Sequence, residues 1–188
     1  PRGGDFLYSP LELERMAADI DMARELGVDG VVFGCLRPDG SLDTEANAML
    51  MQHAKGMSVT FHRAFDRCAH PHQALEELIS HGFDRILTSG QQPTALEGTP
   101  LLKELHEQAK GRIILLAGCG VNEQNIATIA QATNIHEFHF SARTAVKSQM
   151  QFSNPDVYMG AKDADEDTLN ITSSQRVAHT IEACLKGV

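Results

Sequence analysis

Residues 58–90 read SVTFHRAFDRCAHPHQALEELISHGFDRILTSG, and this stretch decides the fold class. It begins and ends with short runs of apolar and β-branched residues, at 58–62 and 85–88, which are typical of strands. Between the runs we predict a helix, with Pro71 at its first position and its end near Gly82. A strand, a helix and a strand in this order predict two parallel strands joined by a crossover helix.

The same alternation extends in both directions along the chain. The order is a helix, four strand–helix units, a fifth strand, a long polar loop and a last helix. Further strands are predicted at 30–35, 113–117 and 136–141, further helices at 10–26, 43–54, 94–108 (broken near 98–100), 122–132 and 172–185, and the polar loop at 148–170, including a solvated acidic run at 163–167.

Length decides which parallel fold is expected. A TIM (β/α)₈ barrel typically needs about 250 residues, so a chain of 188 residues falls roughly sixty short. The strand that should precede the first helix is absent, and residues 1–6 read like the loop that follows it. We therefore expect an α/β fold in which residues 1–188 form a single domain, a TIM barrel without its first two to three strands. A complete open doubly wound sheet is the competing architecture.

Composition excludes several classes of function. Lys and Arg total 16 and Asp and Glu total 25, so the formal net charge is −9, which argues against a nucleic-acid surface. The apolar runs are far too short to span a bilayer. Four cysteines without a CxxC pair favour free thiols in a reducing cytoplasm.

Polar residues gather where the predicted strands end, and active sites of barrels lie at this end. Alternation along the strands places His62 and His139 toward the barrel axis, with Phe138 and Phe140 facing the outer helices. Glu137 is predicted to face inward, one layer deeper.

Two imidazoles beside two charged groups predict a catalytic set of His62, Arg63, Asp66 and His139. In this reading His62 and Asp66 perform acid–base chemistry, and Arg63 supplies positive charge. The alternative for a single strand-end histidine is a hydrogen-bonded packing residue. For Glu137 the structural alternative is an ion pair with Arg85 or Arg112.

The last two strands end in features that suit an anion. Gly118 and Gly120 form a glycine turn before a helix, and Ser141 follows the next strand. Barrels often bind phosphate at this place through backbone N–H groups. Arg2 is a further candidate anion ligand. The alternatives are the steric need for a tight turn at the glycines, and an ion pair between Arg2 and Asp5 that holds the first loop in place.

Five motifs resemble the CutC copper homeostasis family. They are PRGGDF at 1–6, TFHRAFD at 60–66, LTSG at 87–90, AGxGV at 117–121 and HxSA at 139–142. The resemblance runs from residue 1 to the last helix. It implies a TIM barrel, a cytoplasmic homo-oligomer (dimer or tetramer) and a role in handling or binding copper.

Copper in the form Cu(I) prefers thiolate and thioether ligands. Cys35 and Cys119 are therefore candidate metal ligands. Met49 and His53 lie one helical turn apart, although a helix that packs on a barrel needs such apolar residues in any case. The imidazoles at the strand ends come from opposite sides of the predicted ring and are not expected to share one metal ion.

Two functions from different classes follow. The first is a copper homeostasis protein, as the resemblance implies. The second is a barrel lyase or isomerase that acts on a small anionic, carbohydrate-like substrate, with phosphorylated compounds among the candidates. A third interpretation is a fragment without a function of its own. An incomplete barrel exposes strand edges and apolar surface, so we expect a second chain or further protein to cover them.

Overall fold

The computed structural model describes residues 2, 4–152, 154, 156–157, 160, 165 and 167–187. The elements alternate along the chain as the sequence predicts. The helices are α1 (Pro10–Glu25), α2 (Thr44–His53), α3 (Pro71–Ser80), α4 (Thr99–Ala109), α5 (Ile126–Thr133) and α6 (Ser174–Gly187), and the strands are β1 (Gly30–Phe33), β2 (Ser58–Phe61), β3 (Arg85–Thr88), β4 (Ile114–Gly118), β5 (Glu137–His139), β6 (Arg143–Lys147) and β7 (Thr168–Thr172).

The first five strands form one parallel sheet in the order β1-β2-β3-β4-β5. Consecutive helices pack side by side along it, α1 on α2 and α3 on α4 on α5 on α6. A doubly wound sheet reverses its strand order and carries helices on both faces. The competing architecture is therefore wrong, and the fold is TIM-barrel-like, although the described residues do not close a barrel.

Burial alternates along the strands and shows which face the helices cover. Phe61 and Ile86 are fully buried, whereas Val32 and Ile114, on the other face, keep 58% and 38% of their surface exposed. Burying apolar area is the main favourable term in folding, so the helix-covered face holds the core. The helical side chains that complete this core are Leu50, Leu75, Leu78, Leu102, Leu105 and Ile129.

Side-chain caps begin two of the helices. Ser9 caps α1 in a capping box with Glu12, and Asp43 caps α2 by accepting from Ala46 N–H. The α4 helix begins at Thr99, later than position 94, and Gly98 before it lies so close to Ser89 that a Cβ would meet its carbonyl oxygen at 1.8 Å. The α5 helix begins after an Asx turn in which Gln124 N–H donates to Asn122 Oδ1 at 2.9 Å, and Asn122 N–H donates to Asn125 Oδ1 at 2.9 Å.

The prediction missed an antiparallel β6–β7 ribbon, which occupies part of the expected polar loop. Thr144 lies opposite Ile171 and Val146 opposite Leu169, so these four residues share one face. The alternation is weak in the sequence because single apolar residues are separated by Thr, Asn and Lys. Of the acidic run at 163–167, residues 163, 164 and 166 lie outside the described part of the chain.

The open face of the sheet carries an ion pair near its amino-terminal edge. Arg85 Nε donates to Glu137 Oε2 at 2.6 Å, and Arg85 Nη1 donates to Ser58 Oγ at 3.0 Å. The predicted inward position of Glu137 is confirmed, and its partner is Arg85. Arg112 instead pairs with Glu76 on the outer surface. None of the helices in the described ranges is long and apolar enough to cross a membrane.

Candidate functional site

The carboxyl-terminal ends of the five parallel strands form one edge of the sheet, here called the rim. His62 follows β2 directly, and its ring packs on Phe6 with the centroids 4.8 Å apart. Its Nδ1 accepts a hydrogen bond from the N–H of Ala64 at 3.3 Å. Burial lowers the pKa of His62. This burial favours the neutral ring, and since Nδ1 accepts from Ala64, the proton of the neutral ring lies on Nε2, which is a hydrogen-bond donor.

Asp66 lies in the short 3₁₀ helix Arg63–Arg67, after His62. Its carboxylate accepts hydrogen bonds from Arg63 Nε at 2.7 Å and Thr88 Oγ1 at 2.6 Å. It also accepts from the backbone N–H groups of Ser89 and Gln91, at 2.9 and 3.2 Å. The side chain is only 7% exposed. These bonds make Asp66 an anchor that ties the segment after β2 to the end of β3.

The structure records no hydrogen bond between His62 and Asp66, because the Asp66 carboxylate bonds to the end of β3. Their acid–base chemistry stays a prediction. Arg63 keeps a predicted place at the rim, where Nη2 donates to Ser89 Oγ at 3.1 Å and the guanidinium also reaches the sulfur of Cys119. Burial lowers the pKa of Arg63, but hydrogen bonds and charges from Asp66 and Cys119 leave it raised overall.

Left-handed backbone conformations gather at the rim. Phe6, Gln91, Cys119 and Ala142 have φ values of 68°, 57°, 82° and 44°. The last three follow the ends of β3, β4 and β5. Such φ values are costly for residues other than glycine and are frequent at functional sites.

A cavity of about 320 Å³ opens between the ends of β4 and β5. Gly120 and Ser141 line it, together with His139 and two arginines, Arg143 and Arg176. Arg176 donates to both carboxylate oxygens of Glu123, at 3.0 and 3.1 Å, and to the carbonyl oxygen of Arg143. The cavity therefore lies where the sequence analysis expects an anion.

The other two predicted anion ligands do not line this cavity. Gly118 is buried, and a Cβ there would lie 2.6 Å from Leu87 Cδ1, so the glycine serves close packing. Arg2 donates to Glu12 at 2.6 Å and to Asp5 at 3.1 Å, near the opposite edge of the sheet. The ion pair with Asp5 is the structural alternative considered for this arginine.

The two histidines of the predicted set also lie apart. His62 follows β2 and His139 ends β5, so three strand spacings separate them, roughly 14 Å along the sheet. His139 is exposed and lies in register with Gly118. The two imidazoles can contact different ends of one small molecule, but they cannot share one proton.

The predicted thiol ligands do not meet in a metal centre. Cys35 is 1% exposed, and burial, with a smaller effect of Asp43, raises its pKa to about 12. Metal binding needs the thiolate, so this environment disfavours Cys35 as a ligand. Cys119 is partly exposed, and its Sγ donates to the carbonyl oxygen of Pro93 at 3.1 Å. Within the described residues, no three His, Cys, Asp or Glu side chains are grouped so that they could hold a metal ion.

The sequence predicts no site role for Thr88, Ser89 and Arg143, although all three lie where predicted strands end. Thr88 and Ser89 are fully buried polar residues at the end of β3 and hold Asp66. Their place in the LTSG motif after an apolar run is a signal that could have found them. Arg143 depends on the β6–β7 ribbon, which was not predicted.

Residues 1–144 match the model of the CutC family. A CutC family protein of Bacteroides thetaiotaomicron is 60% identical over 184 residues, which cover 97% of this chain and 74% of the relative. The chain belongs to the CutC family. The human protein named copper homeostasis protein cutC homolog is 47% identical over an alignment that covers 100% of this chain and 69% of the human protein. The family resemblance found in the sequence motifs is thereby confirmed.

A crystal structure supports the same relationship. The CutC protein of Streptococcus agalactiae superposes with a TM-score of 0.71 at 36% identity, over 74% of this chain and 68% of that protein. The family match ends at residue 144, inside β6. Most of the β6–β7 ribbon and all of α6 therefore lie outside the part of this CutC-family protein that matches the family model.

Proposed function

We propose that this CutC-family protein takes part in copper homeostasis. The observation that carries the proposal is the 47% identity, over the whole chain, with a human protein named for that role. Copper is treated as cargo rather than as a resident cofactor. Cys119 is the better placed of the two candidate thiols, since it is partly exposed and Cys35 is buried.

The test combines growth and metal analysis. A bacterial strain that lacks its own CutC protein is supplied with this chain and grown at rising copper concentration. We expect restored growth, and copper in the purified protein that is lost in Cys119→Ser but kept in Cys184→Ser. Unchanged growth together with copper-free protein contradicts the proposal, and restored growth without copper contradicts only direct binding.

We also propose that the fold is a TIM barrel that lacks two to three strands beside β1. Two cavities of about 410 and 490 Å³ lie along the free edge of this strand, and Val31 and Val32 line both. The first also contacts Met16 and Ile20 of α1, which passes over the edge. When a parallel strand is missing, a gap remains between the edge of the next strand and the helix that covers it.

Amide hydrogen exchange tests the free edge within one strand. The ladder to β2 uses alternate residues of β1, so the N–H of Phe33 pairs with β2 and that of Val32 points away. We expect the Val32 amide to exchange much faster than the Phe33 amide. Equal protection of the two amides contradicts an open edge.

A second candidate function is an enzyme of lyase or isomerase type at the rim, acting on a small anionic substrate. The observation that favours it is the cavity at the ends of β4 and β5, next to strained backbone and to His139. His62 supplies a hydrogen-bond donor, Arg63 a positive charge and His139 an exposed proton carrier. Asp66 acts by holding Arg63 in place.

Ligand conversion tests this candidate. Small hydroxy acids and sugar phosphates are incubated with the protein and followed by NMR, using His139→Asn and, as a matched control, the exposed His136→Asn. We expect conversion of at least one compound, lost only in His139→Asn. A set of bound but unconverted compounds contradicts the enzyme.

We propose a cytoplasmic, single-domain protein that forms a dimer or tetramer and binds neither nucleic acid nor membrane. Four free cysteines and a net charge of −9 support this proposal. Cell fractionation and the mass of the native protein test location and assembly. Recovery with membranes, or a monomer at all concentrations, contradicts the corresponding part.

A further inference from the structure

Among the residues that the structure describes, one arginine in the cavity between β4 and β5 has no counter-charge. Within the described residues, the Arg143 guanidinium makes no ion pair and donates no hydrogen bond, whereas Arg176 in the same cavity is neutralised by Glu123. Arg143 lies at the first position of β6, directly after the strained Ala142. A guanidinium that lacks a counter-charge and lies beside a concave surface attracts anions.

Backbone donors line the same cavity. In the described part of the chain, the N–H groups of Gly120, Val121, Ser141 and Ala142 donate no hydrogen bond. The φ values of Gly120 and Ala142 are 73° and 44°. Successive N–H groups in such conformations form concave sites that bind anions. The donors come from two loops, after β4 and after β5, which face each other across the cavity.

We propose that this cavity binds the phosphate group of a small phosphorylated ligand, with Arg143 as its charged partner. The proposal rests on the second candidate function, the rim enzyme, and names the class of its substrate. The phosphate lies against the two loops and Arg143. The rest of the molecule extends along the rim past His139.

The donor set distinguishes phosphate from a carboxylate. A phosphate has three free oxygens and about two negative charges at pH 7, and it can accept from both loops and from the guanidinium at once. A carboxylate has two oxygens in one plane and leaves part of the donors unused. The chain as a whole carries a charge of −9, so the net charge does not favour an anion and the short contacts must supply the attraction.

Calorimetric titration of the whole chain with glycerol 3-phosphate tests the proposal, with glycerol as the ligand that lacks phosphate. We expect glycerol 3-phosphate to bind and glycerol not to bind. Loss of a charge-assisted hydrogen bond predicts roughly ten- to hundred-fold weaker binding in Arg143→Gln. The matched control is Lys147→Gln, which removes a positive charge from the same face of the same strand. This variant should bind as the parent does.

The outcomes separate this proposal from the enzyme on which it rests. Equal weakening in both variants, or no effect of either, overturns the role of Arg143. If acetate or citrate binds through Arg143 and glycerol 3-phosphate does not, the phosphate class is wrong while an anionic substrate at the rim remains supported. If none of these anions binds, both the phosphate proposal and the anionic substrate of the proposed enzyme fail. Thermal unfolding of each variant checks that the fold is intact.

Discussion

Asp66 determines the shape of the rim through one carboxylate. It joins Arg63, Thr88 and the N–H groups after β3, and it is nearly buried. Removing its charge weakens several hydrogen bonds at once, so Asp66→Asn should lower the free energy of unfolding by roughly 2 kcal/mol. Urea unfolding measures the change. The control is Asp39→Asn, in an exposed turn, which should lower the free energy of unfolding by less than about 0.5 kcal/mol. Equal losses in the two variants contradict the proposed role of Asp66.

Cys119 holds a backbone conformation that glycine adopts without strain. Its φ of 82° costs the folded protein about 1–2 kcal/mol. A glycine removes this cost, but it also gives the unfolded chain more conformational freedom, which offsets part of the gain in stability. We expect Cys119→Gly to raise the free energy of unfolding by about 0.5–1 kcal/mol. Cys119→Ser, which keeps the strain, should be nearly neutral. A destabilised glycine variant would show that the thiol contacts with Arg63 and Pro93 outweigh the strain.

His62 makes stability depend on pH. Burial lowers its pKa, so the folded protein holds the proton less tightly than the unfolded chain, where histidine titrates near pH 6.5. The stabilising contribution is complete above about pH 6.5 and is lost as the pH falls through the lower folded pKa. The excess stability of the parent over His62→Gln should therefore shrink between pH 7 and pH 5.

Urea unfolding at a series of pH values measures that excess. Removal of the exposed His136 in His136→Gln should leave the pH dependence of the parent unchanged. An NMR titration reports the ring directly, and a pKa of His62 above 6.5 contradicts the assignment.

At the scale of elements, the Arg85–Glu137 pair connects β3 with β5 across the open face. The Nε–Oε2 distance is 2.6 Å, and the side chains are 28% and 39% exposed. Partial exposure limits the coupling free energy to about 1 kcal/mol. A double-mutant cycle of Arg85→Gln and Glu137→Gln measures it, and the exposed Lys103–Glu107 pair, at 3.9 Å on α4, should give about 0.3 kcal/mol. Equal couplings would show that the pair across the sheet contributes no more than a surface pair.

Which elements were predictable follows from how strongly their pattern repeats. The inward position of Glu137 followed from its alternation with phenylalanines, and the start of the crossover helix followed from Pro71 at its first position. The β6–β7 ribbon was missed because its two strands are about twenty residues apart and have few apolar positions. The hydrogen-bond partners of Asp66 could not be predicted, since spacing along the chain does not reveal that its carboxylate bonds to Thr88 and Ser89.

At the scale of the whole molecule, the parallel order and the rim followed from alternating elements, because crossover connections leave few other topologies. The role of Arg143 in the cavity did not follow, because it depends on the β6–β7 ribbon, whose two strands are distant in the sequence. The position of such a side chain depends on how distant segments of the chain pack together. The periodicity of the sequence carries no information about that packing.

The open face of the sheet predicts self-association of the whole chain. Val32 and Ile114 expose apolar surface there, and β1 has a free edge beside them. Covering such surface is favourable by about 25 cal/mol per Å², so the native mass should rise with protein concentration. Val32→Lys places a charge on this face and should shift the equilibrium toward monomer, whereas Leu26→Lys, at a more exposed position beyond the end of α1, should not. Sedimentation equilibrium from about 1 to 100 µM measures the shift, and a response to Leu26→Lys alone would assign the association to the outer helices.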